Sequence, residues 1–275
     1  MKGNNRMTNI VITGCSTGIG LTTAKYLKDR FITVYPTARD PEDVVMLRSL
    51  GFEDAMQLDV RDPEQIAAVI AAVREKDGHI DAWFNNAGYG QMGAVEDVAT
   101  EWVREQFETN VFGLHECTRQ IVPVMREQGG GKIIQHSSVL GIVALPFRGI
   151  YNASKYAVEG LTDTLRQELE GSGIHVVTLN TGPISSRFRE NAKATLEHVD
   201  MEHSAFAETY RASLEGRAKR VPFGEGPESV ARVVYEILAA ERPKPRYYIT
   251  KATWLLGFAK RILSTRGLDW LARKI

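Results

Sequence analysis

NIVITGCSTGIGLTTAKYLKDR, residues 9–30, joins two periodicities through a run of glycines. NIVITG is a short β-branched run that predicts a strand, and GIGLTTAKYLKDR carries the spacing of an amphipathic helix. Between them, TGCSTGIG (Thr13–Gly20) sits where a phosphate-binding loop needs to be. Glycines at that junction let the backbone turn tightly and approach a pyrophosphate, while the helix N-terminus supplies oriented N–H groups. The spacing is G-x-x-x-G-x-G rather than the G-x-G-x-x-G of the common dinucleotide fingerprint. The same letters also match G-x-S-x-G, with Ser16 as the nucleophile of an α/β-hydrolase. That elbow follows several strands and an oxyanion loop, whereas only 15 residues precede Ser16. A purely structural glycine turn stays open as the plainer alternative.

Outward from this loop, strand-like and helix-like runs alternate. FITVYPTA, AMQLDV, IDAWFNNAG, GKIIQHSS, IHVVTLNTG and RYYIT read as strands. Helical stretches lie between them: DPEDVVMLRSLG with Asp40 as its cap and Pro41 at its first position, DPEQIAAVIAAVREKDG, a long zone from Thr100 to Gln128, the stretch starting at YNASK, and PESVARVVYEILAA. Alternating βα units predict an α/β fold of Rossmann type, a doubly wound parallel sheet with helices on both faces. With no internal repeat or low-complexity linker, residues 1–250 read as one domain. Residues 185–226 turn charged and irregular and form a helical substrate lid; 251–275 form an amphipathic tail.

Composition narrows the function class. Lys plus Arg equals Asp plus Glu at 34 each, which argues against a nucleic-acid footprint over the whole surface. The two cysteines, Cys15 and Cys117, form no CxxC and stand beside no histidine spacing, so neither a disulfide framework nor a metal site is expected. The N-terminus lacks a signal-peptide core, and no apolar run approaches a membrane span. A cytoplasmic setting is the default expectation.

YNASK, Tyr151–Lys155, places a phenol and an ammonium four residues apart on one helix face. A phenol near its reference pKa of about 10 is a poor acid–base at neutrality, and a fixed positive charge beside it lowers that value. The alternative is an idle exposed pair. NNAG at 85–88, TNVFG at 109–113 and SSVLG at 137–141 precede YNASK in order. With the glycine loop, these strings make the chain resemble the short-chain dehydrogenase/reductase family over residues 8–190, and more loosely to about 250. The branch holding 17β-hydroxysteroid and retinol dehydrogenases and their bacterial relatives is the nearest in appearance.

The resemblance implies roles. Tyr151 becomes the proton donor for carbonyl reduction or acceptor for alcohol oxidation, Lys155 lowers its pKa and holds the nicotinamide ribose, and Ser138 holds the substrate oxygen. Asn110 supports a water-linked proton path behind Lys155. Gly14, Ser16, Thr17, Gly18, Ile19 and Gly20 hold the dinucleotide, Asp59 and Val60 meet its adenine, and Asn85, Asn86, Ala87 and Gly88 line the cleft. Gly182, Ile184 and Ser186 touch the nicotinamide. The chain departs from the pattern at Thr181, where Pro is usual, and at His136, where Asn often precedes the serine pair; His136 reads as a core or hydrogen-bonding residue.

For the cofactor, Arg39 is placed to receive a 2′-phosphate and Thr37 offers a hydroxyl, while Asp40 is already used as a cap; NADP(H) is expected, with NAD(H) as the alternative. In the lid, Phe188, Met201, Phe206, Tyr210 and Phe223 suit a mobile cover with an apolar underside. His198 and His203 lack the spacing of a metal pair. The tail mixes Trp254, Leu255, Leu256, Phe258, Ile262, Leu263, Leu268, Trp270 and Leu271 with Lys and Arg. It lies on a membrane interface, or folds over the site or another subunit, with a homodimer or homotetramer as the assemblies to consider. The expected substrate is a small apolar carbonyl/alcohol pair. Rival classes are an epimerase or dehydratase, whose usual G-x-x-G-x-x-G loop is missing, and a non-catalytic cofactor-binding sensor or scaffold.

Overall fold

The β-branched runs pair into one seven-stranded parallel sheet. Its strands are β1 (Asn9–Ile12), β2 (Thr33–Ala38), β3 (Met56–Gln57), β4 (Ala82–Asn85), β5 (Gly131–Ser138), β6 (Ile174–Thr181) and β7 (Arg246–Tyr248). This computed structural model describes residues 8–215 and 224–273. The order is β3-β2-β1-β4-β5-β6-β7, so the chain winds outward from β1 in one direction and then returns to build the other side. Ile10 pairs with both Val34 and Ala82, which puts the reversal between β1 and β4. A crevice opens at the carboxyl ends of the strands at such a switch point.

Side chains alternate across each strand, and the core divides accordingly. Ile10 and Ile12 point to one face, where they meet Ala24 and Leu27 of α1 (Gly18–Lys28), Val44 and Leu47 of α2 (Pro41–Ser49), and Val230 and Val234 on a later helix. Val11 and Trp83 point to the other face, against Ile66 and Val69 of α3 (Pro63–Asp77). Asp62 caps α3 by accepting from the N–H groups of Glu64 and Gln65. Asp40 holds the same position before α2, but its carboxylate makes no cap bond. The expected cap is therefore one of backbone geometry only. The AMQLDV strand shrinks to two residues, paired with Thr37 and Ala38 just beyond Pro36, which has no N–H for a ladder.

The long helical zone is three segments: α4 (Thr100–Phe107), a π-helical segment Glu108–Gly113, and α5 (Leu114–Glu127). The YNASK helix, α6 (Gly149–Glu168), begins two residues before Tyr151. Within the lid lie α7 (Phe188–Ala194) and α8 (Ala207–Glu215), followed by α9 (Glu228–Ala239); Phe223 lies outside the described residues. The tail forms α10 (Lys251–Ile262) and α11 (Thr265–Ala272). No helix among the described residues is long and apolar enough to cross a membrane.

Candidate active site

The glycine loop is locked to the NNAG segment through Thr13. The Asn86 and Ala87 N–H groups both donate to Thr13 Oγ1, at 3.0 and 2.9 Å, and Asn86 Nδ2 donates to the carbonyls of Thr13 and Gly14. Two glycines have no substitute here. A Cβ on Gly14, whose φ is +70°, would stand 2.9 Å from Ala87 Cα, and one on Gly20 would stand 2.2 Å from the Gly14 carbonyl oxygen. The loop can thus lie flat beneath a ligand at the N-terminus of α1.

From this loop a cleft runs along the strand ends. Its walls include Gly14, Ser16, Thr17, Gly18, Ile19, Gly20, Arg39, Asp59, Val60, Asn86, Ala87, Gly88, Tyr151, Lys155 and Ser186, all expected from sequence. Four of the residues expected at the cofactor stand off these walls. Thr37 is fully buried and donates its hydroxyl to the Ile12 carbonyl. Asn85 turns into the core and bonds Thr118 and Gln135, because successive residues at the end of β4 face opposite ways. Gly182 packs on the Thr250 and Thr253 hydroxyls, and the Ile184 side chain joins the core beside Val230, so neither forms the cleft wall. Leu58, Tyr89, Thr109 and Phe188 line it without having been singled out as site residues. Thr109 was legible as the neighbour of Asn110 in TNVFG; Phe188, expected from sequence on the lid's apolar underside, reaches the cleft from α7.

At the far end, Tyr151 occupies the first turn of α6, buried beside Phe188, whose ring centroid is 5.5 Å away. Burial pushes its pKa up to about 12, opposed by a hydrogen bond with the Ser138 side chain and by the Arg148 charge. The expectation that Lys155 sets a lowered phenol pKa is not met. Its ammonium lies 5.7 Å from the Tyr151 ring centroid and donates to the His136 carbonyl at 2.7 Å. Burial pulls Lys155 itself down to about 8, with Glu159 acting the other way. Asn110, on the π-helical segment, accepts from Tyr89 N–H and donates to Tyr89 O and Ser154 Oγ. It thereby fixes the loop after β4 against α6.

The two sequence departures touch each other. Asn86 uses its amide nitrogen on the glycine loop and so offers Oδ1 to His136, 3.1 Å away; the proton of the imidazole therefore sits on Nδ1. His136 Nε2 is left to accept from the Thr181 hydroxyl at 3.2 Å. Burial, with the Lys155 charge, lowers the His136 pKa to about 3, so the ring stays neutral. Thr181 Oγ1 also lies 3.3 Å from the Ser137 carbonyl, and its single proton serves one acceptor at a time. Of the lid histidines, His198 stacks on Trp102 at 3.6 Å and bonds Gln91, while His203 meets Asp200 at the surface.

Comparison with known proteins agrees with this geometry. The profile described as short chain dehydrogenase matches residues 8–197. The chain is 36% identical to the uncharacterized oxidoreductase YbbO of Escherichia coli over 270 residues, 98% of this chain and 95% of that one. It is 33% identical to human 17-beta-hydroxysteroid dehydrogenase type 1 over 257 residues, covering 89% of this chain and 78% of the relative. Among solved structures, an actinorhodin polyketide ketoreductase with NADPH superposes with a TM-score of 0.75 at 30% identity, covering 91% and 97% of the two chains. A glycine loop on the first strand, a seven-stranded parallel sheet and a matched profile lead to one conclusion: this chain belongs to the short-chain dehydrogenase family.

Proposed function

We propose that the protein transfers a hydride between NADP(H) and an apolar aldehyde or ketone and its alcohol, with Tyr151 as the general acid or base. One observation carries the reading: Tyr151, hydrogen-bonded to the Ser138 side chain, and Lys155 line one end of a cleft whose other end is a glycine cradle with no room for a Cβ at Gly14 or Gly20. The cradle fits a pyrophosphate, and a bound nicotinamide dinucleotide supplies or takes the hydride. The remaining work belongs to the chain. Ser138 holds the substrate oxygen. Tyr151, a neutral phenol at pH 7, gives its proton to that oxygen in reduction and takes one back in oxidation. Lys155 holds the ribose and, with Asn110 behind it, returns the proton through water. Val143, Leu140, Phe188 and Leu256 cluster around Tyr151, which suits an apolar substrate.

Arg39 at the end of β2 supports NADP(H), since charge-assisted contacts to a phosphate are strong. A second reading has its own observation: Asp40 and Asp43 also line this end of the cleft, and Asp40 lies 3.6 Å from Arg39. Those carboxylates favour ribose hydroxyls, and hence NAD(H). Tyr151→Phe is expected to lose about 10²–10⁴ of kcat while still binding the dinucleotide; turnover like the parent's defeats the mechanism and points to a sensor or scaffold. Arg39→Ala is expected to weaken NADPH about tenfold or more and leave NADH nearly untouched. Equal losses assign the ribose to Asp40.

A further inference from the structure

The tail uses its two faces differently. Its inner side packs on the protein: Leu256 of α10 and Leu268 and Leu271 of α11 join Val143 and Leu140 in the cluster that contains Tyr151. Leu256, Leu268, Leu271 and Val143, with Ile142, Leu145 and the polar side chains of Tyr156, Lys260 and Asp269, line a cavity of about 240 Å³. Protein packing, expected from sequence as one of the tail's uses, accounts for this side. The outer side is covered by nothing within the described chain. Trp254, Leu255, Phe258 and Ile262 are 63, 57, 51 and 65% exposed, and the Trp254 and Phe258 rings stack with centroids 6.1 Å apart. At about 100° per residue these four side chains share an arc of roughly 100°, with Lys251 inside it and Arg261 at its edge.

Charge selects the occupant. The whole chain is neutral, yet residues 251–275 carry six Lys or Arg (Lys251, Lys260, Arg261, Arg266, Arg273, Lys274) against one acid, Asp269. Lys260 turns inward onto the Ile142 carbonyl and the Tyr156 hydroxyl, which leaves Lys251 and Arg261 as the basic side chains of the exposed arc. A second copy docking by a two-fold axis would bring the same basic stripe against itself, and like-charge juxtaposition opposes it. An anionic bilayer offers the opposite: headgroups for the basic side chains and an acyl boundary for the tryptophan and its apolar neighbours. We infer that the outer face of α10 is a docking surface for an anionic lipid bilayer, a peripheral contact that sets the tail-roofed cavity beside the membrane. This assignment is independent of the hydride chemistry, because lipid contact is read without turnover.

Sedimentation of the full-length protein with phosphatidylcholine vesicles, with and without phosphatidylglycerol, tests it. Binding is expected only to the anionic vesicles and to weaken as salt rises. Lys251→Glu with Arg261→Glu is expected to weaken it at least about tenfold, since each basic group near the surface contributes about fivefold and the two multiply. Trp254→Ser with Phe258→Ser is expected to abolish it, with unchanged circular dichroism and unchanged dinucleotide affinity showing an intact fold. Three results overturn the assignment: no sedimentation with anionic vesicles, equal sedimentation of the parent and both double variants, or a concentration-dependent doubling of mass that the Trp254/Phe258 variant removes. The last would give the face to a second copy.

Discussion

The two ends of the cleft are built from different materials. At the glycine-loop end, main-chain atoms and short polar side chains hold one another: Thr13, Gly14, Asn86 and Ala87 are tied by four hydrogen bonds of 2.9–3.0 Å. At the Tyr151 end, Phe188 and Leu256 reach the phenol from α7 and α10, through apolar contact. The first construction tolerates almost no added atom. The second resembles a small core that can be repacked. Family members can therefore share a nucleotide site while differing in what they accept.

The sharpest way to break that contrast is Gly20→Ala. The intruding Cβ would meet the Gly14 carbonyl oxygen 2.2 Å away, and main chain cannot rotate aside as a side-chain tip can. A penalty of about 3 kcal/mol is expected, weakening the dinucleotide about 100-fold in a titration of intrinsic fluorescence. Phe188→Leu, at the other end, is expected to shift KM for the substrate and leave dinucleotide affinity within about twofold. Equal sensitivity at both ends would mean that the nucleotide loop is as adaptable as the lid.

An intermediate effect follows from Lys155, which links the two ends. Its folded pKa of about 8 lies below the ordinary 10.5, so the ammonium is lost as pH rises through about 8. If that charge serves the reaction, kcat/KM falls above this point, approaching about tenfold per pH unit. Stability moves the opposite way. Between about 8 and 10.5 the unfolded chain binds the extra proton, so this group's contribution to folding stability rises with pH across that window. Lys155→Met should remove both trends. A pH–rate profile of the parent that stays flat through the window would exclude a role for the charge.

The smallest expected effect concerns His136 and Thr181, which lie where the two constructions meet. His136→Leu and Thr181→Val each remove one side of the 3.2 Å contact, and a double-mutant cycle in urea is expected to show a coupling of about 1 kcal/mol. His136→Leu also leaves Asn86 Oδ1 without its donor, so it alone should loosen dinucleotide binding. Additive effects would show that Thr181 uses its proton on the Ser137 carbonyl and that the two departures from the family pattern are unrelated.

Sequence by itself determined the parallel sheet, the winding order's βα alternation and most of the residues that line the cleft. Those features rest on local rules: strand and helix periodicity, glycine where a side chain cannot stand, and Tyr151 and Lys155 one helical turn apart. Local rules also explain what was misread. Asn85 and Asn86 are indistinguishable as letters, and only the exit of the chain from β4 sends one into the core and the other to the loop. Tertiary structure decided everything that depends on which distant segments meet: Phe188 on Tyr151, Gly182 under Thr250, His136 against Thr181, and the two faces of α10. It also decided the electrostatics. A lysine four residues from a tyrosine reads as a charge that lowers the phenol, yet burial raises the phenol to about 12 and brings the lysine down to about 8. Desolvation depends on every atom packed around a group, and spacing along the chain carries no record of it.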